Sequence, residues 1–306
     1  MKANGKVYRN VNNSRGFARS KGDILFYVLV LIIPIAQLCI FYFGVNFQNI
    51  LMAFQKYDTT ANKFIWSNIN FKLFANDVKN KYFWVMIGDS FIVWLCTQFA
   101  GTVLALFFSY YIYKKKTLYK FFKFVLFLPS IIPALLLVAI FSKFMDDALP
   151  AFSNIEEGFL SNENYFWIVT AFTIWVSFGS QVLVYSGAMN QIPNEVLEAG
   201  KLDGASPFRE FISLVVPYIL PTVGTFLIAG VATIFTNQNN LFSFFGDRVL
   251  GIDKTIGYHL YVLVAGDGVG MSRYCYAAFL GLLSTLVAVP LTFIVRKLVS
   301  KWGGQR

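Results

Sequence analysis

The chain reads as an all-α integral membrane protein with six transmembrane helices and both termini in the cytoplasm. Three observations predict this. Of the 306 residues, 57% are hydrophobic and 14% charged, against about 25% charged in ordinary soluble domains. Six apolar stretches come close to the roughly twenty residues a helix needs to cross about 30 Å of hydrocarbon. The formal charge of +10 is unevenly spread between alternate connecting segments, as the positive-inside rule expects.

In order along the chain, residues 1–23 form a basic tail with six cations, followed by a first span at 24–43. That span is longer than a signal-peptide core and lacks a small-residue cleavage pattern, so it is expected to be retained. An extracytoplasmic segment, 44–84, follows, in which the apolar stretch Phe47 to Phe54 should lie against the membrane face. A core at 85–300 carries the other spans, near Val85–Tyr111, Phe121–Phe144, Phe166–Ala188, Tyr218–Phe235 and Tyr274–Val295, and 301–306 is a cytoplasmic tail. Pro129 and Pro133 should kink the third span, because each removes a backbone donor. Asp89 should have a terminal or interfacial role near the outer end of the second.

With the amino terminus inside, the inner segments and helix ends hold seventeen of the 26 Lys and Arg, while the outer ones hold ten of the sixteen acids. Lys114, Lys115, Lys116 and Lys120 share one short inner loop. Anionic lipid head groups account for this balance without a nucleic-acid partner. Cys39, Cys96 and Cys275 have no metal-ligand or paired spacing and should pack as small hydrophobes. The outer segment 237–273, rich in Gly and Asp, reads either as a contact surface for whatever delivers the substrate or as a solvated connection, with the chain's only histidine, His259, solvated in it.

Between the fourth and fifth spans, the inner segment 190–217 is far longer than a helical hairpin requires. Its signals describe two short helices meeting at a corner. Asn194 can cap the first, with Glu195 and Glu198 in its opening turns. Gly204 stands where that helix would end, and Ser206 can cap a second that begins at Pro207. Ala199, Gly200, Gly204 and Ala205 leave the backbone nearly bare for close approach by another protein. Local physics alone allows this corner either to dock or to lie on lipid.

The run Glu198-Ala-Gly, then Asp203-Gly204-Ala205, with Ile192-Pro193 before it and Phe211, Pro217 and Pro221 after it, resembles the EAA loop of binding-protein-dependent ABC importer permeases. Gly200 stands where that family usually has alanine. Asp203-Gly204, Leu128-Pro-Ser-Ile-Ile-Pro133 and Trp175-Val-Ser-Phe-Gly179 are similar to the carbohydrate, maltose-type branch. The resemblance implies a type I importer permease fold, with Glu195, Glu198, Ala199, Gly200, Asp203, Gly204, Ala205, Ser206 and Phe208 coupling to an ATPase. It implies two ATPase subunits that bind the ATP and magnesium, a second and related permease forming a heterodimer, and an extracytoplasmic solute-binding protein. No cofactor is then expected in this chain.

For a sugar or oligosaccharide cargo, the polar residues within apolar spans are the candidates for a path. Thr173, Ser177 and Ser180 share a helical face; Gly230, Thr233 and Asn237 repeat the spacing on the next span; Trp175, Gln181 and Gln98 could add stacking and hydrogen bonds. The alternative is ordinary helix packing by small polar residues. Other solutes of the same superfamily, such as a polyol, glycerophosphodiester or peptide, stay open, as does a self-contained carrier or channel. No phosphate-binding Gly-x-x-x-x-Gly-Lys-Ser/Thr loop and no catalytic motif occurs, so the chain is expected to be no enzyme and to draw its energy from a partner.

Overall fold

In the computed structural model, the described residues are 21–153, 158–161, 164–248, 254–266 and 270–303. The chain divides into two compact units, Met1–Leu51 and Met52–Arg306. The described part of the first unit is an apolar helix, α1 (Leu25–Ala53), which opens into wider π-helical turns over Leu38–Val45. The stretch from Phe47 is therefore the end of this helix and not a separate surface element. Once an apolar helix has started, each added residue satisfies its own backbone groups, which a lipid environment demands. Cys39, expected to pack, is exposed.

The second unit begins with a small outer elaboration that departs from the all-α expectation. Strands β1 (Gln55–Asp58) and β2 (Lys63–Trp66) pair antiparallel, with Gln55 opposite Trp66 and Asp58 opposite Lys63, and lead into α2 (Ile69–Lys79). The Asp58 carboxylate accepts the Thr60 N–H (2.9 Å) and the Ala61 N–H (3.3 Å) inside the hairpin turn, which holds its pKa below the usual carboxylate range. Asn70 is buried and donates to the carbonyls of Ala53 (2.8 Å) and Gln55 (3.0 Å). Buried amides need such partners, so this one side chain fastens the hairpin.

The remaining helices are α3 (Lys81–Tyr113), α4 (Tyr119–Ile131), α5 (Ala134–Phe152), α6 (Tyr165–Met189), α7 (Asn194–Leu202), α8 (Pro207–Ala232), α9 (Leu241–Phe245), α10 (Ile256–Ala265) and α11 (Met271–Lys301). Five helices are long and apolar enough to span a membrane, and the α4–α5 pair, bent by 104°, makes a sixth. Pro129 lies within α4, whereas the bend falls at Ile132–Pro133, where Pro133 stands as the cap of α5. The helix thus continues through Pro129 and breaks at Pro133. The residue before proline is pushed out of the helical region, and Ile132 is extended (φ −74°, ψ 137°).

The main packing is α3 on α6, α4 on α6 and α8 on α11. A core of Ala105, Ile112, Val182, Tyr185, Met189 and Val215 joins α3, α6 and α8, and reaches Leu197 of α7. Gly179 lets α4 approach α6, since a Cβ there would strike the Leu126 carbonyl oxygen. Gly179→Ala should therefore destabilise the fold by about 2 kcal/mol, within the range of overpacked cores. Thermal unfolding in detergent checks this: an unchanged midpoint would show that α4 can slide away.

The outer segment after α8 is folded, not simply solvated, because its apolar residues have a core to join. Leu241 and Tyr258 are buried among Val93, Tyr165 and Val169, and Ile256 among Phe83, Met86 and Tyr276. Asp89, expected at a helix end, is buried within α3, where its Oδ2 accepts the Lys254 N–H (3.1 Å); the neighbouring Ser90 Oγ accepts the Ile256 N–H (2.9 Å). The two side chains hold the start of α10. His259 lies on α10 and lines an outer cavity with Asp77 and Lys254. Burial and the Lys254 charge push its pKa below the usual histidine range, against a smaller pull from Asp77. Residues 249–253 and 267–269 of this segment lie outside the described residues.

Candidate functional site: a cytoplasmic corner and a polar cavity

The corner between α6 and α8 is built largely as its local chemistry dictates. Helix α7 ends in a Schellman arrangement: the Ala205 N–H reaches the Gly200 carbonyl and the Gly204 N–H that of Lys201, both at 3.0 Å. Gly204 is left-handed (φ +72°), the conformation that glycine adopts without a Cβ penalty. Ser206 then caps the next helix, its Oγ accepting the Arg209 N–H (3.3 Å), and Pro207 occupies the first turn.

Three details differ from expectation. The first helix is capped by Pro193, whose backbone is extended (φ −58°, ψ 136°), so that Asn194 already lies inside the helix and is not its cap. The second helix is not a separate short one; it runs through π-helical turns at Phe211–Val215 into α8. Gly200 is buried, and its missing Cβ makes room for the Leu214 side chain instead of for an outside surface. Glu195, Glu198, Ala199, Asp203, Gly204, Ser206 and Phe208 are exposed and Ala205 half-buried. Leu202 is 89% and Phe208 63% exposed, two large apolar side chains on either side of the Gly204 turn in a polar corner.

Glu210 was not singled out from the sequence, yet it fixes this corner. Its carboxylate is 6% exposed and pairs with Lys114 at the end of α3. The Tyr110 hydroxyl is 3.0 Å from the Pro207 carbonyl and 3.4 Å from Glu210 Oε1, so it can donate to either. An acid next to an apolar run, facing a loop with four lysines, was the signal available.

Within the spans, a cavity of about 150 Å³ lies between α3, α6 and α8. Thr173, Ser177, Gln181, Gly230, Thr233 and Asn237 line it together with Gln98, and Trp94, Thr97 and Ile234 complete the wall. Trp175 and Ser180 do not line it: Trp175 packs edge-on against Phe172, and the Ser180 hydroxyl donates to the Ser177 carbonyl (2.9 Å). At 3.6 residues per turn, Ser177 and Gln181 lie roughly 40° and 80° round from Thr173, whereas Ser180 falls roughly 20° the other way. The lining face is centred on Ser177.

No lining residue is ionisable. The Thr173 hydroxyl donates to the Val169 carbonyl (2.9 Å) and accepts from Asn240 Nδ2 (2.9 Å), while Ser177 and Thr233 also donate to carbonyls of their own helices. Trp94 Nε1 and Gln181 Oε1 are buried without a partner among the described residues. Both residues line the cavity, and leaving a buried donor and a buried acceptor unpaired is costly. Just beyond the lining residue Asn237, Asn239 and Asn240 are both left-handed (φ 54° and 57°), and the buried Asn239 donates to Thr170 Oγ1 (2.8 Å).

Residues 100–303 match the family described as binding-protein-dependent transport system inner membrane component. The chain belongs to this family. It is thus a multi-pass inner-membrane permease of a transport system, in a family of transport components and not of enzymes. Among its relatives, the permease is 23% identical over 280 residues to the multiple sugar-binding transport system permease protein MsmF of Streptococcus mutans, spanning 89% of this chain and 94% of that one. It is 24% identical over 188 residues to the maltose/maltodextrin transport system permease protein MalF of Vibrio parahaemolyticus, spanning 58% of this chain and 35% of that longer one. Its fold is also that of a chain in the crystal structure of a bacterial alginate ABC transporter complexed with a pentasaccharide-bound periplasmic protein. That likeness has a TM-score of 0.73 at 18% identity and covers 92% of this chain and 96% of that one. The permease therefore has the type I ABC importer fold.

Proposed function

We propose that this permease carries a sugar or oligosaccharide inward, handed over by an extracytoplasmic binding protein, along a path it shares with a second, related permease. The observation that carries this reading is the uncharged polar cavity, where amide, hydroxyl and indole groups converge without an ionisable side chain. Such a lining suits a polyhydroxylated neutral solute better than an ion, and the names of the relatives point to the same cargo. Two ATPase subunits, which bind the ATP and magnesium, supply the energy by gripping the corner around Leu202, Gly204 and Phe208. A self-contained carrier would give the exposed apolar pair there no purpose.

The test separates docking from folding. Leu202 is almost fully exposed, so Leu202→Asp leaves the permease itself intact. Loss of an interface hot spot costs about 2 kcal/mol or more, roughly thirtyfold in affinity. Co-purification of the ATPase and substrate-stimulated ATP hydrolysis should both fall by that order. Full retention of both would remove the corner as the coupling surface. Gly204→Asp should act in the same direction, since its surroundings are open but its backbone is left-handed.

A further inference from the structure

We propose that the cleft between the cytoplasmic ends of α3 and α4 binds an anionic phospholipid of the inner leaflet. A cavity of about 440 Å³ lies there, walled by Phe107, Phe108, Tyr111 and Phe122, with Lys114 and Lys116 at its rim. The Tyr110 and Tyr111 hydroxyls are engaged with main-chain carbonyls of the protein, and the predominantly aromatic wall that remains accepts an acyl chain. Beside the cleft, Leu118, Phe121 and Phe124 are exposed large apolar side chains, which places this surface at the level of lipid.

The charge around the rim selects the head group. The turn is tight: Lys115 and Leu118 are both left-handed (φ 49° and 59°), and the Tyr111 hydroxyl donates to the Thr117 carbonyl. This geometry gathers Lys114, Lys115, Lys116 and Lys120 at one boundary. Glu210 neutralises Lys114. Lys115, Lys116, Lys120 and the nearby Lys123 are exposed and form no ion pair among the described residues. No Asp or Glu occurs between Asp89 and Asp146, so these cations have no acidic neighbour in their own stretch of chain. Each lysine near a membrane surface adds about fivefold to binding of anionic lipid. A phosphate held by Lys115 and Lys116 would leave its acyl chain beside the aromatic wall and next to the Lys114–Glu210 pair.

The experiment uses the full chain, solubilised from its membrane with the subunits that accompany it. A photoactivatable phosphatidylglycerol is cross-linked and the adduct mapped by peptide mass spectrometry, and retention of phosphatidylglycerol and phosphatidylcholine is compared by native mass spectrometry. Adducts should fall within residues 107–122, with phosphatidylglycerol retained about tenfold better. Lys115→Gln with Lys116→Gln, both on the surface, should bring the two lipids to within about twofold. Glycerol phosphate, a head group without chains, should not displace the lipid. Adducts elsewhere, equal retention in the unmodified protein, an unchanged preference in the double variant, or displacement by glycerol phosphate would each overturn the proposal.

Discussion

Lys114→Met should destabilise the permease more than Glu210→Gln does, although the two side chains belong to one ion pair. The reason is their unequal burial. The Glu210 side chain is 6% exposed and that of Lys114 22%. Removing the lysine strands a carboxylate whose other nearby donor is the Tyr110 hydroxyl at 3.4 Å, whereas removing the acid leaves an ammonium that can turn towards water. Breaking a fully buried pair costs about 3–5 kcal/mol. At this rim, the expected loss is about 2 kcal/mol for Lys114→Met and less than half of that for Glu210→Gln. The double variant should recover part of the difference. Thermal unfolding of the four proteins forms a double-mutant cycle, and additive effects would show that the pair contributes nothing. Because Glu210 sits four residues beyond the Ser206 cap, the same variants should weaken the response of ATP hydrolysis to substrate.

That joint also shows where sequence reasoning stops. The corner was legible because its signals are local: Gly204, Ser206 and Pro207 act within four residues of themselves. The spans were legible because an apolar helix satisfies its own backbone. Much of the rest depends on partners far along the chain. Glu210 meets Lys114, Asp89 meets the Lys254 backbone and Asn70 meets the carbonyl of Ala53. No spacing rule links such positions. The hairpin at Gln55–Trp66 was missed for the same reason, since its anchor is a single buried amide. Within the cavity, the polar side chains stood out against apolar helices. Trp94 did not, because an indole in a span is an ordinary packing residue until its N–H is found without a partner.

Gly230→Val should cut transport at least about tenfold while leaving the fold and the subunit assembly in place. A Cβ built on Gly230 meets the Gln98 side-chain oxygen and comes within 3.4 Å of Trp94 Nε1, so branched methyl groups must enter the space of about 150 Å³ where those groups face Thr173, Ser177 and Gln181. Little is lost elsewhere: glycine is the poorest residue inside a helix apart from proline, so valine is no worse for α8 itself. Gly230→Ala makes the argument quantitative. Its single methyl meets the flexible end of Gln98, which can turn aside, and uptake should fall only a fewfold, against at least about tenfold for valine, or roughly 1.4 kcal/mol. Basal ATP hydrolysis and co-purification of the ATPase should be unchanged in both, because the cavity and the corner lie at separate places on α8. The graded loss distinguishes a filled path from a broken fold, which would lower uptake, assembly and hydrolysis together. Wild-type uptake in the valine variant would mean that the solute passes elsewhere.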